Sequence, residues 1–199
     1  MTQKNSLPAS YFEAKYKTNI DPWRFNTSDY ERQKYRATIG AFTRPHYRRG
    51  LELGCSIGVL TSLLAPHCNH LVALDGSPTA IAEAKRQQLS NVTFEVACLP
   101  EEFPQSPFDL ILLSEVLYYF SVSDLERVAR LCLDALEPGG EIVLCHWLGE
   151  TDYPLKGIQA SELFAATVSS KLPVRTILHD DVYRLERLCE RTCRAGGAE

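Results

Sequence analysis

The chain contains 199 residues, of which 45% are hydrophobic and 23% are charged, as is usual for a globular protein. Its length favours a single domain with a core large enough to need no disulfide or metal support. The formal net charge of −4 argues against a nucleic-acid partner or an anionic membrane surface. No apolar run is long enough to span a membrane, and residues 1–10 lack the signal-peptide pattern, so we expect a cytoplasmic protein without a membrane partner.

The seven cysteines do not indicate a metal site. No Cys-x-x-Cys pair is present, and Cys189 and Cys193 lack the second pair of ligands that zinc needs. The neighbouring His67, Cys68 and His70 also lack a matching ligand set. We therefore expect no metal cofactor.

Residues 1–43 precede the regular part of the chain. Residues 1–10 are expected to be a frayed tail. Residues 21–23, Asp-Pro-Trp, predict a turn, because proline fixes φ and keeps the preceding residue out of the helical region. The motif Ser28-x-x-Glu31 has the form of a capping box and predicts a helix over residues 29–42. The segment is interpreted either as a helical lid over a pocket or as a packed extension.

Strand and helix patterns alternate through residues 44–193. The predicted strands are 51–54, 70–75, 92–97, 108–114, 141–147, 174–180 and 182–190, with helices from 59, from the Ser77-Pro78 cap, from Ser123 and over 161–171. Repeated βα units predict an α/β fold, a doubly wound and mostly parallel seven-stranded sheet. Residues 194–199 are expected to be a loose tail.

The stretch Leu51-Glu52-Leu53-Gly54-Cys55-Ser56-Ile57-Gly58 has the form of a strand followed by a glycine turn and a helix, which is typical of nucleotide-binding loops. A dinucleotide fingerprint needs glycine at its third position, where this chain has Ser56. That residue disfavours an NAD-type oxidoreductase. The spacing Glu-x-Gly-x-x-x-Gly instead resembles the first motif of class I S-adenosylmethionine-dependent methyltransferases, whose ligand carries no phosphate.

Polar and aromatic residues recur at the predicted strand ends, where open α/β sheets bind ligands. Asp75 lies 21 residues after Gly54, at a distance suited to binding ribose hydroxyls. The remaining ends are Ala97-Cys98, Ser114-Glu115 and His146-Trp147. These ends predict a site that combines two carboxylates, an imidazole and the nearby rings of Tyr118 and Tyr119.

A more specific resemblance follows from several motifs taken together. Leu51–Gly58, Asp75, residues 108–115 and Leu136-Glu137-Pro138-Gly139-Gly140 match class I methyltransferase motifs in order and spacing. Further matches lie at residues 21–23, Tyr30-Glu31 and residues 113–119. With these motifs included, the chain resembles the nodulation protein S (NodS) family over residues 11–155. This resemblance implies a Rossmann-like methyltransferase fold, S-adenosyl-L-methionine as cofactor, and N-methylation of the free amine of a deacetylated chitooligosaccharide.

The resemblance and the strand ends together give a set of candidate site residues. The candidate cofactor-binding residues are Trp23, Glu52, Gly54, Cys55, Ser56, Gly58, Asp75, Gly76, Ser77, Cys98, Leu99, Pro100, Ser114 and Glu115. The candidate catalytic residues are Glu115 and His146 as general bases and Tyr119 as an orienting hydroxyl; His146 could equally be a buried core histidine. Many class I enzymes bind adenine through an Asp after the third strand. Here that region is Ala97-Cys98-Leu99-Pro100, so the adenine would be held by backbone groups and apolar walls, or by Glu101.

Three alternatives to this function remain open at this point. The acceptor could be another small molecule methylated on oxygen or on a different nitrogen, the enzyme could be an oxidoreductase, or the chain could bind a nucleotide or a protein partner without catalysis. The oligomeric state is expected to be a monomer or a homodimer. The sequence does not identify the acceptor or the pathway.

Overall fold

In the computed structural model the strands form one sheet in the order β3-β2-β1-β4-β5-β7-β6. The structure describes residues 5–179 and 181–190, apart from the side chains of residues 174–176. The strands are β1 (Tyr47–Leu53), β2 (Cys68–Asp75), β3 (Val92–Val96), β4 (Phe108–Ser114), β5 (Leu136–Trp147), β6 (Val174–His179) and β7 (Tyr183–Cys189). Strands β1 to β5 are parallel, and β7 is antiparallel to both β5 and β6. The predicted mostly parallel, seven-stranded sheet is confirmed.

Helices flank the sheet on both faces. They are α1 (Ala9–Thr18), α2 (Asp29–Gly40), α3 (Val59–Leu64), α4 (Pro78–Ala84), α5 (Val122–Ala135) and α6 (Gly157–Val168), with 3₁₀ turns at Ala65–His67, Lys85–Gln87 and Leu117–Tyr119. Alternate strand residues face opposite sides, so Leu51 and Ile111 pack with α5 and α6, whereas Leu110 and Leu112 pack with α2 and α3. The nearly continuous apolar runs of β1, β2 and β4 are explained by this two-sided burial.

The predicted helix starts are partly confirmed. Ser28 accepts a hydrogen bond from Glu31 N at 3.3 Å and Ser77 accepts one from Ala80 N at 3.1 Å, as N-caps do. The prediction at Ser123 is wrong, because Ser121 is the N-cap of α5 and accepts from Asp124 N at 3.2 Å. Helix α6 likewise begins at Gly157, four residues before the predicted start.

The start of the chain is more ordered than the sequence suggested. Leu7 N donates to Tyr119 O at 2.8 Å, and Ser121 N donates to Ser6 Oγ at 2.7 Å. The frayed-tail interpretation is therefore wrong for residues 5–10, whose backbone and hydroxyl groups find partners near the start of α5. This segment crosses the carboxyl-terminal edge of the sheet. The predicted tail at 194–199 lies outside the described residues.

The closing strands and the first turn agree with the sequence. Strands β6 and β7 lie within a residue or two of the predicted ranges, and residues 21–23 form part of a turn before α2. Asp21 stabilises that turn, because its carboxylate accepts hydrogen bonds from Phe25 N at 2.7 Å and Asn26 N at 3.0 Å. Within the described part of the chain, no helix has the length and apolar character needed to cross a membrane.

Gly58 provides a stability test of the fold. It adopts φ 82°, and a Cβ there would lie 2.7 Å from Gln87 Nε2 and 3.1 Å from Ala84 Cβ. We expect Gly58→Ala to lower the free energy of unfolding by at least about 1–2 kcal/mol, the usual cost of a left-handed conformation for an L-residue. Urea denaturation measures this change. Gly40→Ala is the matched control, because a Cβ at Gly40 meets nothing within 4 Å; equal stability of the two variants would contradict the prediction.

Candidate functional site

A cavity of about 570 Å³ opens at the carboxyl ends of the parallel strands, beside the point where the strand order reverses between β1 and β4. The glycine turn after β1 forms one wall and the N-terminal segment forms the opposite wall. The predicted cofactor residues that line it are Trp23, Glu52, Gly54, Cys55, Ser56, Asp75, Gly76, Cys98, Leu99, Pro100, Ser114 and Glu115. The structure therefore brings together residues that are up to about 90 positions apart in sequence.

The glycine turn is held by its own backbone amides. Gly54 N and Cys55 N both donate to Leu74 O at 2.8 Å, and Ser56 N donates to Asp75 Oδ2 at 2.9 Å. These three N–H groups are therefore unavailable to an anionic ligand, contrary to the expectation for a phosphate-type loop. Gly54 adopts φ 79°, and a Cβ there would lie 3.0 Å from Val116 Cγ2, which explains the need for glycine.

Two predicted cofactor residues, Gly58 and Ser77, do not line the cavity. Gly58 is required by the close approach of Ala84 and Gln87 behind the turn. The Ser77 hydroxyl caps α4 and donates to Glu13 Oε2 at 2.6 Å. Both residues shape the wall of the cavity from behind, so their predicted direct contact with a ligand is not supported.

Asp75 lies at the end of β2 with its carboxylate at the cavity. Its Oδ2 accepts from Ser56 N at 2.9 Å and its Oδ1 accepts from Ser77 N at 2.8 Å. Burial raises the pKa of Asp75 to about 6, although both hydrogen bonds oppose this shift. Each oxygen retains a lone pair after these bonds, so the carboxylate can still accept from hydroxyl groups.

Glu52 is an unusual residue for the inside of a parallel strand. It is 2% exposed, lines the cavity, and its Oε2 has no hydrogen-bond partner among the described residues. Burial raises the pKa of Glu52 to about 7. A buried carboxylate oxygen without a donor is costly, so this position fits a ligand that carries an N–H group.

The wall after β3 is mainly apolar. Ala97, Leu99 and Pro100 line it. Cys98 N donates to Glu102 Oε2 at 2.6 Å, and Glu101 forms an ion pair with Arg127 at 2.7 Å. An aromatic base placed here would meet mainly apolar walls, which is one of the alternatives that the sequence left open. Glu101, which is another of them, also lines the cavity.

Helix α1 is attached across the opening by two groups that the sequence analysis did not identify. Glu13 accepts hydrogen bonds from Ser77 Oγ at 2.6 Å, Thr79 Oγ1 at 2.7 Å and Thr79 N at 3.1 Å, and the bond from Ser77 is the main cause that lowers the pKa of Glu13 to about 2. Tyr16 OH donates to Ser56 Oγ at 2.5 Å. The Tyr16 ring contacts Trp23 edge to face at 5.6 Å. The N-terminal segment is thereby tied to both the glycine turn and α4.

A buried ion cluster lies at the other end of the cavity. Lys34 Nζ is 2.6 Å from Glu115 Oε1 and 2.9 Å from Glu31 Oε1, and the Lys34 side chain is only 2% exposed. Burial alone would lower the pKa of Lys34, but the charges of Glu115 and Glu31 raise it above its ordinary value. The Lys34 ammonium also lies 4.9 Å from the centre of the Tyr30 ring.

Both oxygens of Glu115 have hydrogen-bond donors. Besides Lys34, it accepts from Tyr118 OH at 2.6 Å and from Trp147 N at 3.1 Å. Burial opposes ionisation of this carboxyl, but the charge of Lys34 and these hydrogen bonds bring the pKa of Glu115 below its usual range. A carboxylate in this state is a weak base, so the predicted role of Glu115 as a general base is not supported.

Tyr119 belongs to an aromatic cluster that lines the cavity beside Glu115. Its ring packs edge to face against Phe12 at 4.7 Å, Tyr118 at 4.6 Å and Tyr153 at 4.7 Å. Burial raises the pKa of Tyr119 well above its usual value, so its hydroxyl stays protonated. Its predicted role as an orienting hydroxyl remains a prediction.

His146 does not line the cavity. It is 0% exposed; Leu117 N donates to its Nε2 at 3.2 Å, and Ser161 Oγ lies 3.4 Å from its Nδ1. Burial lowers the pKa of His146 to about 4, so the ring is neutral at pH 7. Both ring nitrogens have partners inside the protein. The alternative that the sequence left open, a core histidine, describes this residue better than a catalytic base.

Comparison with known proteins places these features in a family. The family model for nodulation protein S (NodS) matches residues 12–145. Nodulation protein S from Rhizobium tropici is 31% identical over 127 residues, which is 62% of this chain and 53% of that protein. The alignments cover only 53–61% of the length of the first three curated relatives.

Solved structures agree with this match. A proposed methyltransferase from Pseudomonas syringae is 31% identical, with a TM-score of 0.68 over 81% of this chain and 99% of the other. N-methyltransferase NodS from Bradyrhizobium japonicum WM9, solved with S-adenosyl-L-homocysteine, has a TM-score of 0.77 at 22% identity over 93% of this chain and 100% of the other. The second likeness is one of fold alone. From the match to the family model over residues 12–145, the chain belongs to the nodulation protein S family.

Proposed function

We propose that this chain is an S-adenosylmethionine-dependent N-methyltransferase that methylates a free amine of a small molecule. The observation that carries the proposal is a single cavity with the methyltransferase glycine turn at one end and the Glu31–Lys34–Glu115 cluster at the other. A membership in the NodS family and the likeness to an N-methyltransferase structure support the same activity.

The cavity residues fit the proposed donor, whose sulfonium supplies an activated methyl group when it is bound. Asp75 is suited to the two ribose hydroxyls, because each of its oxygens has a lone pair left. The unpartnered Oε2 of Glu52 is suited to the donor's amino group. The apolar wall at Ala97, Leu99 and Pro100 is suited to the adenine ring.

The residues around the acceptor act mainly by orientation and charge. A methyl acceptor must lie in line with the sulfonium, and holding it there accounts for much of the rate of such reactions. The aromatic cluster of Phe12, Tyr118, Tyr119 and Tyr153 provides rigid apolar surface beside Glu115. An amine must lose its proton before it can attack. Glu115, which is held in an ion pair, and His146, which is buried, are both poorly suited to take up that proton.

For the acceptor itself we propose an amino sugar, such as the free amine of a deacetylated chitooligosaccharide. The tyrosine rings and the exposed Trp147 offer flat apolar surface for a sugar ring. The negative charge of the cluster favours an amine that arrives as a cation. The deciding assay measures methyl transfer from radiolabelled S-adenosylmethionine to deacetylated chitooligosaccharide, with the fully N-acetylated oligosaccharide as the matched control.

The outcomes of this assay test the amino-sugar acceptor, the amine chemistry and the methyltransferase activity separately. Label in the deacetylated sugar alone supports the amino-sugar acceptor. Label only in carboxylate or phenol acceptors would overturn the amine assignment and leave a methyltransferase. Absence of transfer to any acceptor, together with absence of S-adenosylhomocysteine binding in calorimetry, would overturn the methyltransferase proposal. Calorimetric binding of NAD instead would favour the oxidoreductase alternative.

Asp75→Ala tests the donor site. We expect the affinity for S-adenosylhomocysteine to fall by about 1–3 kcal/mol, because charge-assisted hydrogen bonds to the ribose are lost and the glycine turn loses the acceptor of Ser56 N. Isothermal titration calorimetry measures the change, and circular dichroism checks folding. Asp29→Ala, at a side chain that is 85% exposed, is the control and should bind normally. Wild-type affinity in a folded Asp75 variant would remove this residue from the site.

The N-terminal segment is proposed to act as a lid. Glu13 and Tyr16 tie α1 to the walls of the cavity, so entry of the donor requires that this helix move aside. We expect S-adenosylhomocysteine to slow tryptic cleavage at Lys15, Lys17 and Arg24. Mass spectrometry of timed digests measures the rates, with the exposed Arg86 as an internal reference. Equal rates with and without the ligand would indicate a static extension.

A further inference from the structure

Glu31 has a different role from the one that its sequence motif predicts. Its backbone N–H is capped by Ser28, but the Glu31 side chain does not return to the Ser28 backbone as a capping box requires. It points instead to the cavity, where Glu31 is 8% exposed and lies next to Lys34. Glu31 is therefore part of a wall of the site.

The two oxygens of Glu31 differ in their hydrogen bonding. Lys34 Nζ lies 2.9 Å from both, yet only Oε1 receives a hydrogen bond of acceptable geometry. Among the described residues, no donor makes a hydrogen bond of acceptable geometry to Oε2, although it is buried. The Tyr35 hydroxyl is a second donor beside this carboxyl and, like Lys34, opposes the rise that burial causes in the pKa of Glu31. Buried carboxylate oxygens normally have donors, so Oε2 has spare capacity for a donor that comes from a ligand.

In the neighbouring candidates, each side-chain oxygen or ring nitrogen already has a hydrogen-bond partner. Glu115 already accepts from Lys34, Tyr118 OH and Trp147 N. His146 lies outside the cavity, with partners on both ring nitrogens. Of the two carboxylates in the ion cluster, Glu31 is the one with an oxygen that accepts no hydrogen bond from the described residues.

The charge of the cluster selects the kind of acceptor. Two carboxylates, Glu31 and Glu115, surround one ammonium, Lys34, so the fully ionised cluster has one negative charge in excess. A buried excess charge is unfavourable unless a counter-charge is supplied. A cationic amine supplies it, whereas a carboxylate acceptor would add repulsion and a neutral phenol would leave the excess in place.

We propose that Glu31 Oε2 binds the acceptor as its ammonium form and takes up one proton from it, leaving the neutral amine whose lone pair receives the methyl group. The N–H bond breaks with its electron pair staying on nitrogen, and the proton forms an O–H bond at Oε2 and later passes to solvent. Lys34 and Glu115 are positioning residues that fix Glu31 through Oε1. The inference rests on the proposed function and adds a residue role and a cationic primary or secondary amine as substrate class.

The surroundings of Glu31 are compatible with proton uptake. The titratable groups that face it are Tyr30, Lys34 and Tyr35 from α2, Glu115 from the end of β4, and Cys145 from β5. Burial raises the pKa of Glu31, and the charge of Lys34 opposes this only in part. The opposite shifts at Glu31 and Glu115 separate a proton acceptor from a permanently ionised partner.

Glu31→Gln tests the inference through a pH profile. We expect kcat/KM for deacetylated chitooligosaccharide to fall about 10²–10⁴-fold near pH 7, which is the usual contribution of a positioned base. The deficit should shrink above about pH 8, the ordinary pKa range of an α-amino-type group, since the amine is then already neutral. Acceptor affinity, measured by calorimetry in the presence of S-adenosylhomocysteine, should fall as well. Glu31→Asp retains the charge and should recover part of the activity.

Controls separate a failure of this inference from a failure of the proposed function on which it rests. S-adenosylhomocysteine affinity should be unchanged in Glu31→Gln. Glu126→Gln, at a solvent-accessible ion pair with Arg130 on α5, should match the wild type in every measurement. A deficit that is constant from pH 6 to pH 10 would overturn proton uptake by Glu31. Wild-type kcat/KM and acceptor affinity would overturn its contact with the acceptor. A wild-type protein that binds no S-adenosylhomocysteine and methylates no amine would instead overturn the proposed function.

Discussion

The buried ammonium of Lys34 is the interaction on which the site depends. It joins α2 to the residue that follows β4, across 81 positions of sequence. A lysine that is 2% exposed stays charged only because Glu31 and Glu115 compensate its loss of hydration. Removing one partner of such a cluster typically costs about 3–5 kcal/mol, because the remaining charge is left buried without compensation. The same contact makes the N-terminal segment a wall of the cavity.

Several residues in the cavity have strained backbone conformations or carboxyl groups with raised pKa values. Glu115 has φ 56°, a left-handed conformation that costs an ordinary residue about 1–2 kcal/mol. Ser56 has φ 54°, and the buried carboxyls of Glu52 and Asp75 both have raised pKa values. Strain and poorly hydrated charges that gather at one cavity are a common property of ligand sites. Here they occur at both ends, on the side of the proposed donor and on the side of the acceptor.

Sequence reasoning recovered the parts of the site that are determined locally. Gly54 and Asp75 each depend on neighbours within a few residues, and strand ends in a parallel sheet must meet at one edge. The Lys34–Glu115 pair depends on how a helix docks on the sheet, which no local pattern encodes. Glu31 was misinterpreted because its cap spacing was real, and the backbone half of the capping box did form. The sequence left His146 open between a catalytic base and a core histidine, because a strand end alone does not say whether a side chain faces the cavity or the core.

The N-terminal segment connects the two ends of the site in one short piece of chain. Helix α1 is tied to the donor side through Glu13 and Tyr16, and α2 is tied to the acceptor side through Lys34. The turn between the helices is held by the Asp21 carboxylate, which accepts from two backbone amides. These two hydrogen bonds fix the path of the chain from α1 to α2. The same short segment therefore supplies wall residues at both ends of the cavity, Tyr16 at the donor side and Lys34 at the acceptor side.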